Sequence, residues 1–433
     1  MSKLIENTET KEWTLEAECE LRLEVKFGER IKLKLKSGTA EIFGAELAVG
    51  PEYVFSGTKI ALFTWHGCNL QITGNCSVAY QANETPMISY LNTHMALEQR
   101  REDAKEKGEE GPKVLVLGPT DVGKTSLCKL LMCYGVRMGR RPIYVNLDSD
   151  EGTITMPGTL SATALSHIVE VDEAFGLGAV PTTGSSVSPL SYYYGYTSIS
   201  DNEKLYKLLV SRLSHAVKCR MADDEDARVS GLIIDTCGFI DQSAYSVLDH
   251  IIQSFMVTTL LVLGHERLYS DMLNIYKDNS TLQVVKLAKS GGVVQREPAF
   301  LRQAKMAKIK EYFYGTPKSE LSPYSVILHF SDVVIYRVGG GSLAPSSALP
   351  LGSDRTVSET QLMPVDPGDI LLHSVLALSN ATSEEEVLEA NVAGFVYVSE
   401  VNEAKRKMTV LSPSPGRLPK KYLIMGSFKW VES

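Results

Sequence analysis

The sequence predicts an α/β core held between two β-rich flanks, and three patterns point to it. Apolar and polar residues alternate at period two across residues 13 to 90, strand-like and helix-like runs alternate from 114 to about 315, and strand runs return from 316 onward. At 433 residues the chain is too long for one ordinary core, so two to three domains are expected. The division read from these patterns is 1–95, 96–315 and 316–433.

In the first part, Cys19, Leu21, Leu23 and Val25 of CELRLEV alternate with polar neighbours, and Ile31, Leu33 and Leu35 of IKLKLK do the same. Phe27-Gly28 and Ser37-Gly38 supply turns. This spacing predicts a small antiparallel sandwich whose strands have one wet face and one dry face. The charged stretch HMALEQRREDAKEKGEEGPK, 94–113, predicts a solvated linker helix that ends at Gly-Glu-Glu-Gly-Pro.

In the second part, the apolar runs VLVLG, IYVNLD, GLIIDT, TTLLVLG and QVVKLA alternate with helical patterns such as NEKLYKLLVSRLSHAVK and SAYSVLDHIIQSFM. Buried apolar strands between helices imply a mainly parallel sheet covered on both faces. The acidic run MADDEDAR, 221–228, reads as an exposed loop. In the third part, SVILHF, VVIYRV, AGFVYVSEV, KMTVLSP and KYLIMGSF read as strands of a small β-rich domain separated by Gly/Ser/Pro segments.

Composition narrows the function. The chain is 44% apolar and 22% charged, and no apolar run reaches the roughly 18 residues of a membrane helix, so no membrane association is expected. The polar, acidic start MSKLIENTETKEW has no character of a secretory or import signal. A net charge of −8 argues against wholesale binding of nucleic acid and confines any RNA contact to a local basic patch. Seven cysteines without a C-x-x-C pair suggest free thiols in a reducing compartment, cytosolic or nuclear, and no zinc site.

The chemistry is concentrated in Gly118-Pro-Thr-Asp-Val-Gly123-Lys124-Thr125, which satisfies G-x-x-x-x-G-K-[ST] between a strand-like run and a helical one. Glycines let backbone N–H groups converge on phosphate oxygens, and the helix beginning near Lys124 adds its positive end. Lys124 is expected to reach the β- and γ-phosphates and Thr125 to ligate Mg²⁺. Two carboxylates end neighbouring apolar runs, Asp148 and Asp235. Either would hold Mg²⁺ through water or accept a proton from an attacking hydroxyl, and the alternative for each is a helix N-cap or turn role. No N-K-x-D or T-K-x-D guanine reader occurs, which favours ATP. The fold class is therefore α/β, with a central, mainly parallel P-loop NTPase unit between an N-terminal β-sandwich and a small β-rich C-terminal domain.

TAEIFGAEL, FTWHGC, GPTDVGKTS, GRRPIYVNLD, TCGF, HERLYSD, KSGGVVQR and EYFYG follow one another from residue 39 to 315, and VLSPSPGRLPKKYLI lies beyond them. Together they resemble the eukaryotic cleavage and polyadenylation factor subunit of the polynucleotide 5′-hydroxyl-kinase family. The resemblance implies ATP held between the first and second domains, with Glu20 and Lys59 on the nucleotide, Asp121, Val122, Gly123, Lys124, Thr125 and Ser126 as phosphate loop, and a lid around 290–311. From the residues alone, Glu20 and Lys59 read as surface strand positions. The resemblance also implies a nuclear protein whose partners are cleavage factor IA subunits, notably the one that binds the polymerase C-terminal domain. Some members of this family phosphorylate RNA 5′-hydroxyl ends; others bind ATP and act as scaffolds.

Four departures from the active pattern favour the scaffold reading. Active relatives carry D-x-x-Q where this chain has Asp148-Ser-Asp150-Glu151. An unscreened Glu151 about 5 Å from a γ-phosphate charge costs about 3 kcal/mol at an effective dielectric of about 20, unless Glu151 acts as metal ligand or base. Phe239 replaces a Trp that stacks on RNA, Gly264 replaces an Asp, and the substrate loop YYYGYTSISDNEKLY is altered. The lid keeps Arg296 and Arg302, either suited to charge on a transferring phosphoryl, although a solvated basic helix is the alternative. If the protein is an active kinase, Asp148, Lys124, Arg296 and Arg302 form the catalytic set. The cluster Arg137, Arg140 and Arg141 reads as a partner or RNA surface, or equally as a solvated helix end.

Overall fold

The computed structural model describes residues 9–169, 171, 189–238, 244–316, 319–339, 360–418 and 421–432. The N-terminal part is a sandwich of two antiparallel sheets. One orders the strands Thr10–Leu15, Cys68–Thr73, Ile31–Gly38 and Glu52–Phe55; the other orders Ala45–Glu46, Glu41–Ile42, Thr58–Thr64, Cys19–Val25 and Val78–Ala82. Leu21, Leu23, Val25, Ile31, Leu33 and Leu35 fill the space between the sheets, as alternation requires. The opposite face of Cys19–Val25 is not wet. Glu20 is 3% exposed and Arg22 8%, because that face lines a cavity shared with the central part.

The helix Met87–Lys107 follows and ends at Gly108, whose left-handed backbone (φ 69°) closes its last turn. It crosses residue 95 and is not the solvated linker expected from its charge. Arg101 is fully buried, donates to the Ser230 carbonyl at 3.0 Å and pairs with Glu98 at 3.1 Å. Glu98 also binds Arg140. Buried charges of this kind persist only when paired, and here the pairing docks the helix against the central part.

The central sheet orders its strands Leu190–Tyr193, Thr159–Ala164, Ile143–Asn146, Leu232–Asp235, Lys113–Leu117, Thr259–Leu263 and Gln283–Leu287. The last five are parallel to one another; the first two run antiparallel at the edge. Lys113–Leu117 lies inside the sheet and is buried throughout, which explains its unbroken apolar reading. MADDEDAR is not a loop. The helix Glu203–Asp223 runs into it, and Asp224 caps a second helix, Glu225–Ser230, by accepting from the Ala227 N–H at 3.1 Å.

The C-terminal part is a seven-stranded sheet ordered Tyr324–His329, Lys407–Ser412, Val392–Asn402, Ser374–Ser379, Tyr422–Lys429, Val334–Val338 and Leu362–Pro364. Only the Val334–Val338 and Tyr422–Lys429 pair is parallel. Its inner face shares one apolar core with the central part. Phe313, on the helix Pro298–Tyr314, stacks on Trp430 at 5.9 Å, and Tyr193 and Tyr312 each meet Phe395 at 5.6 Å.

Candidate nucleotide-binding site

The site begins where the strand Lys113–Leu117 gives way to Gly118. A Cβ at Gly118 would stand 2.7 Å from the Leu263 carbonyl oxygen, so only glycine lets the chain turn there. Gly123 (φ 90°) then opens the helix Lys124–Arg137. The loop between them contains Asp121 in a left-handed conformation (φ 56°). The strand end, loop and helix N-terminus form the phosphate cradle expected from the motif.

A cavity of about 330 Å³ lies over this loop, with walls from all the nearby elements. Asp121, Val122, Gly123, Lys124, Thr125 and Ser126 form its floor. Glu20, Arg22, Lys59 and Tyr90 come from the N-terminal part and its following helix, Asp148, Asp150 and Glu151 from the acidic loop, and Arg296 from the lid. Gly118 shapes the loop without lining the cavity. Arg302 is exposed and is not among the lining residues. Phe239 lies outside the described residues.

Inside this frame the polar groups are tightly engaged. Lys124 Nζ donates to its own loop at the Pro119 carbonyl, 2.7 Å. Thr125 Oγ1 donates to Asp235 Oδ2 at 2.6 Å, and the buried Tyr144 hydroxyl donates to the same oxygen at 3.0 Å. Asp235 Oδ1 is buried without a protein partner. Burial, only partly offset by the Thr125 hydrogen bond and Lys124, pushes the Asp235 carboxyl up to about 6. Asp148 Oδ1 accepts from the Asp150 N–H at 2.9 Å, so this residue both makes a turn and lines the cavity. Burial, with the charges of Glu151 and Asp235 adding, pushes its carboxyl up to about 7.

The lid closes over the loop through Arg296. Its Nε donates to Asp121 Oδ1 at 2.5 Å, its backbone N–H donates to Asp121 Oδ2 at 2.8 Å, and a terminal guanidinium nitrogen donates to Glu151. Lys305 pairs with Asp150 alongside. Burial opposes the Arg296 charge, but Glu151 and Asp121 outweigh it and hold its pKa above the ordinary value. Glu151 is therefore not the unscreened charge that the sequence suggests; the lid neutralises it.

The N-terminal wall is also paired. Glu20 accepts from Arg22 Nε at 2.9 Å and from the Thr85 hydroxyl. Lys59 binds Glu24 at 2.8 Å and lies 5.6 Å from the Phe300 ring centroid, while Phe27 meets Phe300 at 5.1 Å. Arg22 and Tyr90 line the cavity, and Tyr144 and Phe300 sit behind it against Asp235 and Lys59; no motif marked any of them. Arg22 had a detectable signal, since it shares a strand face with Glu20. The Arg137, Arg140 and Arg141 cluster is not an open basic surface: Arg137 pairs with Glu41 and Glu46, Arg140 with Glu98 and Glu102, and Arg141 with Asp226.

Three family models match the chain in succession. They are the N-terminal beta-sandwich domain of polyadenylation factor over residues 14–104, the mRNA cleavage and polyadenylation factor CLP1 P-loop over 118–315, and the pre-mRNA cleavage complex II protein Clp1 over 321–432. The mRNA cleavage and polyadenylation factor clp1 of Botryotinia fuckeliana (strain B05.10) is 46% identical, across 97% of this chain and 93% of its own length. The polyribonucleotide 5′-hydroxyl-kinase Clp1 of Homo sapiens is 42% identical, across 98% and 97%. Among solved structures, the wild-type Clp1p–Pcf11p complex superposes with a TM-score of 0.88 at 27% identity, covering 99% of this chain and all of that one. A second Clp1p–Pcf11p structure, described as showing the basis for ATP loss in a point mutant, gives 0.87 at 28% identity, with 99% of this chain and all of that chain covered.

Proposed function

This chain belongs to the CLP1 family of mRNA cleavage and polyadenylation factors, and from that premise we propose that it is an ATP-binding subunit of the pre-mRNA 3′-end cleavage and polyadenylation machinery, a scaffold with little or no kinase activity. The carrying observation is the lid arginine: Arg296 is spent on Asp121 and Glu151, two carboxylates of its own chain. While it is held in this way, its charge is withheld from a transferring phosphoryl. ATP then serves to join the sandwich, phosphate loop and lid, all of which line one cavity. The partner is a Pcf11-type cleavage factor IA subunit, the setting is nuclear, and contacts to RNA are local. Clp1p–Pcf11p complexes among the structural relatives support the partner.

Mg²⁺ fits the residues present. Thr125 and Asp235 form a hydrogen-bonded oxygen pair, Asp235 keeps a buried oxygen without a partner, and Asp148 faces the same cavity. Among the described residues no three His, Cys, Asp or Glu groups converge as an all-protein cage. This suits a hard cation that completes its shell with phosphate oxygens and water, where it would neutralise phosphate charge.

Transfer of labelled γ-phosphate from ATP to a 5′-hydroxyl RNA oligonucleotide tests the proposal, with Lys124→Ala as background. The expected result is no label above background together with an ATP-induced rise in melting temperature that Lys124→Ala abolishes, the stabilisation behind it being about 2.7 kcal/mol at a hundred times Kd. Label above background supports the second reading, an active polyribonucleotide 5′-hydroxyl kinase. Two observations favour that reading: mammalian relatives carry the kinase name, and Lys124, Asp148 and Arg296 line one cavity.

A further inference from the structure

We propose that Glu151 is a nucleotide-discriminating residue: it holds Arg296 where the γ-phosphate would otherwise take it, so the site accepts ADP with its latch intact and binds ATP either by breaking that ion pair or by forgoing Arg296. The inference rests on the ATP-binding reading above and names what sets the preference within that site.

Arg296 is fixed at its base by the phosphate loop. Its backbone N–H and Nε both go to Asp121, at 2.8 and 2.5 Å, and Asp121 sits in the strained turn of that loop. What remains adjustable is the outer end of the guanidinium, and the structure gives that end to Glu151. The pair is partly desolvated, with side chains 25% and 30% exposed, so it is screened less than a surface pair. Arg296, Glu151 and Lys124 line the same cavity.

A carboxylate and a phosphate offer guanidinium the same geometry of paired oxygens, so the two compete for it. The β-phosphate of a nucleoside diphosphate needs only the loop N–H groups and the helix N-terminus, and does not require Arg296. A γ-phosphate adds charge beside an acidic loop containing Asp148, Asp150 and Glu151. It must either capture Arg296, leaving Glu151 unpaired, or leave that pair intact and stand beside Asp148 without the guanidinium as counter-charge. Both routes penalise the triphosphate relative to the diphosphate. Asp150 serves as the internal control: it lies in the same loop with the same charge, but its partner is Lys305.

The test measures Kd for Mg·ATP and Mg·ADP by calorimetry on the full chain and on Glu151→Gln, Asp150→Asn, Arg296→Ala and Glu151→Gln/Arg296→Ala. Glu151→Gln is expected to tighten ATP about tenfold while moving ADP less than about twofold. The gain should vanish when Arg296 is absent. Asp150→Asn should change the ATP/ADP ratio by less than about threefold. Glu151→Ser, a second removal of the same charge, should reproduce the direction of the first. The proposal is overturned if Glu151→Gln shifts ATP and ADP alike, if its gain survives in the Arg296→Ala background, or if Asp150→Asn matches it. Wild-type chain that binds neither nucleotide overturns the ATP-binding reading and this proposal with it, whereas the other failures leave ATP binding standing.

Discussion

The central sheet has two seams, one packed as an apolar core and one that encloses a polar cavity. Towards the C-terminal sheet it is closed by aromatic side chains in one continuous core, with Phe313, Trp430 and Tyr397 in mutual ring contact and Phe395 meeting Tyr193 and Tyr312. Towards the N-terminal sandwich and its following helix it is closed around a cavity: Arg137–Glu41 and Arg140–Glu98 cross the seam beside an apolar contact at Phe63, and the cavity wall itself carries the internal pairs Arg22–Glu20 and Lys59–Glu24. Apolar burial is non-directional and gains stability in proportion to area. Paired charges gain little net stability but fix geometry. The first seam holds the molecule together; the second sets the shape of a polar site.

Mutations that cross from one chemistry to the other test this contrast. The largest effect is expected at Phe313→Ala, which empties a fully buried position in the shared core and should cost about 3–5 kcal/mol. Urea denaturation should show one cooperative transition moved to lower concentration; a shift confined to part of the signal would mean that the two sheets have separate cores. Next is Glu98→Ala, which leaves Arg101 buried without its carboxylate and should cost about 3 kcal/mol by the same assay, whereas exchanging both for apolar residues should cost far less.

A smaller effect depends on pH. His94 is buried against Tyr134, and burial, reinforced by the Arg101 and Arg137 charges against the opposing pull of Glu98, lowers its pKa to about 4. The folded value lies below the ordinary 6.5, so the unfolded chain takes up the proton first and stability falls as pH drops from 6.5 towards 4. By pH 5.5 the loss should be about 1 kcal/mol relative to pH 7, and His94→Phe should flatten that slope in melts across the range. The smallest effect is expected at Phe300→Ala on the lid, which removes one ring contact and one cation–π contact and should cost about 0.5–1 kcal/mol while loosening nucleotide retention. A cost at Phe300 equal to that at Phe313 would erase the distinction between the seams.

The sequence made the phosphate loop legible because backbone geometry dictates its residues. Gly118 and Gly123 stand where a turn and a helix start demand them. The dry face of the sandwich was equally legible, since period-two alternation records burial directly. Charge was misleading. Glu20 and Arg22 read as a wet face, the Met87–Lys107 helix as a solvated linker, and Arg137, Arg140 and Arg141 as an open patch. In each case a group far away in sequence buries or neutralises the charge: Thr85 and the Glu84 carbonyl at Glu20 and Arg22, Arg140 and the Ser230 carbonyl at Glu98 and Arg101, and Glu41, Glu98 and Asp226 at the three arginines. Local pattern carries no information about such partners, and Glu151, screened by Arg296 from the lid, is the clearest instance.

The stacking of Phe313 on Trp430 also bears on how the chain is made. Synthesis delivers Phe313 and the central helices long before Trp430 and the strand Tyr422–Lys429 that precedes it. Until that last stretch emerges, Phe313 lacks the ring it stacks on, and the aromatic core, covered by Phe395 and Tyr397 from the earlier strand, stays open on one side, a natural target for holdase chaperones. A premature stop before the strand Val392–Asn402 would therefore yield a sticky product for proteolytic clearance instead of a shorter working protein.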